Sequence, residues 1–473
     1  MRKLSTLALA ISLSTTCMAQ QKWNLKTIVD YAMANNINVK LSDVQAKIAS
    51  INYKQSKLSQ YPTASFSGNT SINSGNNQDP TTFSRITQTY LSAGLQLQSS
   101  ADIFNFYSKR NTIAANKWEA EAALAATDKA KNDIALTAAN AYLQVLLSKE
   151  QEKITAVQIQ QTQAQLTNTR KQVNAGALPE LSASQLEAQL ALDSLNYITA
   201  KGNTTNNLLL LQSYLSLDAA TSFDVDTPPV DQIPVEPIGN LLPDFVYDLA
   251  LKNLPQQRFN DLKLKAAEKN AAAAKASMLP SLAAFVSLGS NYNNKSQVVT
   301  GFTPKISPIG SVNVGGTDYI VTAPSGTANF SKSSFANQLS DNFRQGIGLS
   351  LTVPIFNGGQ LKSNYERSKL NINIIQLQQQ QDNLKLKQDI YTAYNAALIA
   401  LEKLNASKKS AAINELNLNY ATKRFNVGVL GTFDLITTQN NLLRAKLELA
   451  QNNIDYIFKM KVLEFYKGMG LKL

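Results

Sequence analysis

Between residues 346 and 356 the chain alternates strictly: Ile347, Leu349, Leu351, Val353 and Ile355 are apolar, with Gly348, Ser350, Thr352 and Pro354 between them. A two-residue period puts one kind of side chain on each face of a β-strand. Weaker alternation runs through Leu91, Ala93, Leu95, Leu97 and Ile103. It recurs in Ala64, Phe66 and Ile72 after Pro62, and in Leu282, Ala284, Val286 and Leu288 after Pro280. Four strands are expected, paired as hairpins at about 61–104 and 280–357. A different period governs 106–172 and 360–425. There Ile390, Ala397, Leu404, Ala411, Leu418 and Phe425 recur every seven residues. Leu370, Leu377, Leu384, Tyr391 and Leu398 form an adjacent series, and Val145, Ile159, Leu166 and Val173 keep the pattern in the earlier stretch. Neither stretch contains proline or glycine, so each predicts one helix, on the order of 100 Å long at 1.5 Å per residue. A seven-residue repeat demands coiled-coil packing, and two adjacent stripes mean neighbours on two sides.

The pattern occurs twice. Ala32, Asn35, Ala49 and Pro62 match Ala250, Asn253, Ala267 and Pro280 at a constant offset of 218. Ile103-Phe104-Asn105 matches Ile355-Phe356-Asn357 at 252, and so do Leu166, Asn174, Gly176, Leu178, Leu211 and Tyr214 with Leu418, Asn426, Gly428, Leu430, Leu463 and Tyr466. The offsets differ by 34, so the second copy carries an insertion between Pro280 and Ile355. It is expected as a long loop over 291–342, a stretch rich in Gly, Ser, Thr and Asn. Each copy reads helix, strand, loop, strand, very long helix, tight turn, helix. The resulting layout is a signal peptide at 1–19, repeat 1 at 20–217, a proline-rich linker at 218–243, and repeat 2 at 244–473. Within repeat 1 the tip lies at 173–181 and the returning helix at 180–215; within repeat 2 they lie at 426–433 and 432–467. The leading helix, 25–60, and the returning helix together match one long helix in length.

Composition excludes much chemistry. The 473 residues contain no histidine, and the one cysteine is Cys17. Serine–histidine and cysteine–histidine catalysis therefore lack a member, and zinc lacks its usual ligands. No metal or cofactor is expected. Arg2 and Lys3, the apolar run that follows, and the small residues near Ala19 read as an export signal; Cys17 is either removed with it or lipidated. Beyond it no run reaches the ~18 apolar residues of a spanning helix. A membrane crossing would have to use strands. The net charge of +12 is scattered among Gln and Asn without a dense basic run, as on solvated helix faces, so no nucleic-acid partner is expected.

Arg424-Phe425-Asn426-Val427-Gly428-Val429-Leu430 with Phe433-Asp434-Leu435, the strand end Val353-Pro354-Ile355-Phe356-Asn357-Gly358-Gly359, and the duplicated layout together resemble the TolC family of bacterial outer-membrane efflux proteins. The resemblance covers the whole mature chain. It implies a mixed α/β membrane protein, mostly α, in which long coiled-coil hairpins form an α-barrel. Four β-strands per chain would contribute to a twelve-stranded barrel in a homotrimer. It implies an outer-membrane location extending into the periplasm, and passive export of small toxic compounds or proteins. The implied partners are outer-membrane lipid, a periplasmic adaptor (a membrane fusion protein) and an inner-membrane pump of RND, ABC or MFS type. Four strands cannot close alone, and an open sheet edge is not tolerated in lipid, so spanning would require oligomerisation on physical grounds as well.

The candidate functional residues lie at the two helix–helix turns. Asn174, Gly176 and Leu178, with Asn426, Gly428 and Leu430, form tips where glycine permits a left-handed helix end. They are either plain turns or, as the resemblance implies, docking points for adaptor hairpins. Ala177 and Val429 depart from the family's usual residue after the glycine. Asp434 is expected either to form an acidic ring at the tunnel entrance or simply to complement a helix dipole. Ser182 stands at the matching place in the first copy, and Thr437 where the family often has a second acid. Phe104, Phe106, Tyr107 and Phe356 suit a membrane-interface belt or ordinary packing. The rival functions are an exported coiled-coil adhesin or adaptor without a pore, and a carboxylate-only enzyme. No pocket-like cluster of acids supports the enzyme.

Overall fold

The computed structural model describes residues 22–78, 83–229 and 233–468. The expected signal peptide, with Cys17, lies outside them. Helices α1 (Leu25–Asn35) and α2 (Ile37–Leu58) lead into strands β1 (Thr63–Gln78) and β2 (Arg85–Phe104). Helix α3 (Ser108–Asn174) and its return α4 (Glu180–Leu215) follow. After the proline-rich segment come α5 (Pro243–Asn253), α6 (Pro255–Ala276) and β3 (Ser281–Asn293), then β4 (Gln297–Val314), β5 (Thr317–Lys332) and α7 (Phe335–Asp341). Strand β6 (Arg344–Thr352), α8 (Gln360–Asn426) and α9 (Thr432–Tyr466) complete the chain. No helix among the described residues is long and apolar enough to cross a membrane.

Two expectations are corrected. The leading helix, read as one piece over 25–60, is broken. In the second half the cause is Pro255, whose ring forces Leu254 out of the helical region, to φ −71° and ψ 131°. In the first half the break is made by Asn36, whose side chain accepts the Asn38 N–H at 2.8 Å and donates to the Tyr214 carbonyl at 2.8 Å. An asparagine cap there does the work of a proline. The other correction concerns 291–342, which is not a loop. It holds the β4–β5 hairpin and α7, with Gly315 and Gly316 both at positive φ in a two-residue turn.

Close contacts divide the chain into two units, one made of 52–115 and 268–370, the other of residues through 51, 116–267 and 371 onward. In the first, an antiparallel sheet runs β1-β2-β3-β6, leaving one side of β1 and one side of β6 unpaired among the described residues. Its register puts Phe66 opposite Leu97, Leu97 opposite Leu288, and Val286 opposite Ile347, so one face gathers most of the apolar side chains, with Thr70, Ser99, Ser290 and Gln345 among them. Ser65, Gln98, Ser287 and Gly346 lie along the other. Among the described residues nothing covers this apolar face: Ile347 is 86% and Leu351 68% exposed. On the opposite face the Phe285 ring lies over Gly348, and a Cβ there would come within 2.6 Å of the ring, so any larger residue would displace it.

The second unit is helical. One core joins Ile28 and Ala32 of α1 to Tyr142 and Val145 of α3 and to Leu211 and Leu215 of α4. Another joins Val246 and Ala250 of α5 to Ile390 and Ala397 of α8 and to Met460 and Leu463 of α9. Of the two heptad stripes on α8, Ile390, Ala397, Leu404 and Ala411 are buried, whereas Leu377 and Leu384 are exposed. Among the described residues, Leu370, Leu377 and Leu384 of the second stripe stay largely exposed, whereas Tyr391 farther along it donates to Asp244 at 2.7 Å.

The segment after α4 is tied down at both ends. Trp23 and Val225 form a bridge, with the Asp226 N–H donating to the Trp23 carbonyl at 3.0 Å. Farther on, the Glu236 N–H donates to Glu464 at 2.9 Å, and Lys467 binds both oxygens of the Glu236 carboxylate at 2.9 Å.

Candidate functional site

Each long helix ends in the same hydrogen-bonded turn. In the first, the Gly176 N–H donates to the Val173 carbonyl at 2.9 Å and the Ala177 N–H to Gln172 at 2.8 Å. In the second, Gly428 donates to Phe425 at 3.0 Å and Val429 to Arg424 at 2.9 Å. This pair of bonds satisfies the last helical carbonyls and requires a left-handed residue between them. Gly176 and Gly428 supply it at φ 75° and 76°. A Cβ on either glycine would meet nothing within 4 Å, so glycine is needed for its backbone and not for space.

Asn174 and Asn426 are exposed beside the glycines, and Leu178 and Leu430 are half-buried. Both leucines pack on the cluster formed by Ala421, Phe425 and Leu435. Ile436 of the second hairpin in turn packs on Leu166, Ala183 and Leu186 of the first. The six predicted tip residues therefore belong to two turns that share apolar contacts. Beside exposed Asn426, the second turn also leaves three apolar side chains to solvent, Val427, Val429 and Phe433, which are 65–73% exposed.

Asp434 is exposed in the first turn of α9, close behind the N-cap residue Gly431. Its carboxylate complements the helix N-terminus there. Within one chain no second acid stands one turn on, where Thr437 donates its hydroxyl to the Phe433 carbonyl.

A further device was not anticipated. Arg170 bonds Glu180 and reaches Glu187 at 2.5 and 3.2 Å, clamping α3 to α4 across the first tip. Its hydrogen bonds to Glu187 and then Glu180 raise the guanidinium pKa above its ordinary value. Thr422, Thr432 and Gln439 stand at the corresponding places in the second hairpin, whose helices are joined instead farther from the tip, by Lys446 of α9 and Glu415 of α8 at 3.3 Å. The signal was available as an arginine followed by two glutamates on the far side of a tight turn. Deeper in, Asp193 is buried and accepts from Thr162 at 2.6 Å and Gln189 at 2.8 Å.

The strand-to-helix junctions also correspond. Ser108 donates to the Asn105 carbonyl and Asn111 to Tyr107, as Gln360 does to Asn357 and Ser363 to Gly359. Phe104 packs on Phe106 and Tyr107, with ring centroids 4.8 and 6.0 Å apart, while Phe356 is 88% exposed.

This architecture has known counterparts. The chain superimposes on the Campylobacter jejuni CmeC outer membrane channel with a TM-score of 0.73 at 18% identity, covering 95% of this chain and 87% of that one. Against the Vibrio cholerae outer membrane protein VceC the TM-score is 0.73 at 14% identity, covering 94% and 96%. In sequence it is 22% identical to the outer membrane protein TolC of Escherichia coli K12 over 464 residues, 97% of this chain and 84% of that protein. The profile of the outer membrane efflux protein family matches residues 28–216 and 246–457, most of both halves and neither the leader nor the linker, and the chain belongs to that family.

Proposed function

We propose that this outer membrane efflux protein is the passive exit duct of a tripartite export system, assembled as a homotrimer. The observation that carries the assembly is a four-stranded sheet with one apolar face uncovered and both outer edges unpaired among the described residues. Lipid suits the face but not the edges, whose N–H and C=O groups need other strands. Identical copies supply them, and three copies make a twelve-stranded barrel. The uncovered stripe of Leu377 and Leu384 on α8 argues the same way for the helices.

The tip turns, with their exposed apolar residues at Val427, Val429 and Phe433, dock a periplasmic adaptor hairpin. The adaptor joins the duct to an inner-membrane pump of the RND, ABC or MFS class, whose cargo is small toxic compounds or exported protein. Copies of Asp434 around the axis form an acidic ring at the entrance. The halves act as one unit in two copies, joined by the proline-rich segment.

The test is extraction of the full-length protein in detergent, followed by mass measurement and planar-bilayer recording. Heat-resistant trimers that conduct are expected. A monodisperse monomer that is soluble without amphiphile would overturn the reading, and trimers without conductance would favour a poreless adhesin.

A further inference from the structure

The β4–β5 hairpin is the part of the molecule that the proposed duct leaves unused. It leaves from the end of β3 and returns through α7 into β6, and its span of 297–332 is close to the 34-residue difference between the two sequence offsets. Its root is built. Buried Gln338 of α7 accepts the Asn293 N–H and donates to the Asn293 and Ser333 carbonyls, all within 2.9–3.1 Å. Phe335 stacks edge-on against Tyr292, with centroids 5.1 Å apart. The hairpin is thus held out from the sheet as a defined element.

Its two faces differ. Phe302 lies opposite Ala328, Pro304 opposite Gly326, and Ile306 opposite Pro324, so these share one face with Ile320 and Phe330. Phe302, Ile306 and Ile320 are each about 70% exposed. The other face of the same stretch carries Thr303, Lys305, Ser307 and Ser325, and there the Ser307 and Ser325 hydroxyls bond at 2.8 Å. Pro304, Pro308 and Pro324 all fall in pairs of the same parity, where a strand N–H points away from its partner, and so they blunt both outer edges. Strand addition is blocked while the apolar face stays open.

The occupant is suggested by charge and by reach. Over the pairs from Phe302–Ala328 to Pro308–Thr322 this face holds no ionisable group, and Asp318 joins it only beyond Ile320, toward the turn. Identical copies can therefore meet along Phe302 and Ile306 without like-charge repulsion, whereas a charged partner would find nothing there to pair with. The hairpin is about 50 Å long at 3.3 Å per residue. A twelve-stranded barrel is on the order of 25 Å across at ordinary spacing and tilt.

We propose that the β4–β5 hairpins of neighbouring copies pack against one another through Phe302, Ile306, Ile320 and Phe330, forming a cap over the outer mouth of the barrel. The proposal rests on the oligomeric duct and goes beyond it. The test uses full-length Ile306→Cys and, on the opposite face, Lys305→Cys, each purified in detergent, sized, and treated with a short thiol cross-linker. Ile306→Cys is expected to form covalent dimers within the trimer, and Lys305→Cys is not. Trimers in which neither variant cross-links, or both do equally, overturn the cap and leave the duct standing; absence of any oligomer removes both. Quenching by nitroxide lipids of a fluorophore attached to the Ile306→Cys variant would place the face on a membrane surface and also overturn the cap. Replacing 297–332 by two glycines is expected to raise single-channel conductance or open time, and unchanged recordings would count against closure.

Discussion

Lys461 and Glu464 are one turn apart on α9, with Nζ 2.8 Å from Oε2 and both side chains 3% exposed. The other carboxylate oxygen accepts the Glu236 N–H, so the pair also anchors the proline-rich segment. Removing one partner of a buried pair strands the other charge, at a cost of about 3–5 kcal/mol. Lys461→Ala is therefore expected to lower stability strongly in urea titrations of the detergent-solubilised protein. Lys461→Met with Glu464→Leu should recover much of that loss, leaving mainly the unpaired Glu236 N–H. Equal losses in the single and double variants would show that the pair is not the cause.

Tyr142 is buried in the first helical core and donates to the Asp226 carbonyl at 2.8 Å. Burial, with the Asp226 charge adding to it, pushes its pKa up to about 12. An unfolded tyrosine ionises near 10, so the folded state is favoured below that pH and loses the advantage as pH rises from 10 to 12, by roughly 2–3 kcal/mol. Tyr142→Phe should be about 1 kcal/mol less stable at neutral pH through the lost hydrogen bond. Its stability should fall less on the alkaline side, and parallel pH curves for the two proteins would refute this.

Asp224 behaves oppositely. Burial opposes its ionisation, but the hydrogen bond from Lys149 at 2.5 Å, the Val225 N–H and the charges of Lys149 and Lys22 outweigh that, and its pKa is lowered. Its contribution is complete above the ordinary carboxylate range and is lost as pH falls through the depressed folded value. Asp224→Asn should flatten the acid limb of the stability curve, which melting temperatures across that range would record.

At the tips, Gly176→Ala and Gly428→Ala should each cost on the order of 1–2 kcal/mol, because alanine resists the left-handed backbone. Asn tolerates that region better and the surroundings are open, so Gly428→Asn should fold nearly normally. If adaptors dock there, Gly428→Asn should still reduce efflux in cells and capture of the adaptor by cross-linking. Full efflux from a correctly assembled Gly428→Asn trimer would remove the docking role.

Asp434→Ala should weaken cation selectivity in single-channel recordings while leaving assembly intact, since the side chain is exposed. Unchanged selectivity would leave Asp434 with the helix dipole alone.

Much of this was legible because period survives composition. The alternation through Ile347, Leu349 and Leu351 lies in β6, and the seven-residue series from Ile390 to Ala411 is the buried stripe of α8. Local chemistry was harder to read. The break at Asn36 combines a local cap, its bond to the Asn38 N–H, with a hydrogen bond to Tyr214, far away in sequence, and only the first of these could be read nearby. The β4–β5 hairpin was hidden by its Gly, Ser and Pro content, although Gly315-Gly316 between alternating Val312, Val314, Tyr319 and Val321 was a readable turn signal. At the tips the glycines stood out from sequence alone, whereas the Arg170 clamp required knowing that the turn folds Glu180 and Glu187 back toward it.

Phe106 and Tyr107 hold φ 47° and 66° at the junction after β2, where Gly358 and Gly359 hold 65° and 79° after β6. The same bend is forced on aromatic residues in one half, at roughly 1–2 kcal/mol each, and costs glycines almost nothing in the other. In a closed ring of copies, stiff joints carrying aromatic rings would alternate with limber, bare ones. Any torsion reaching this level would then be absorbed at every second joint, and the intervening ones would keep their shape.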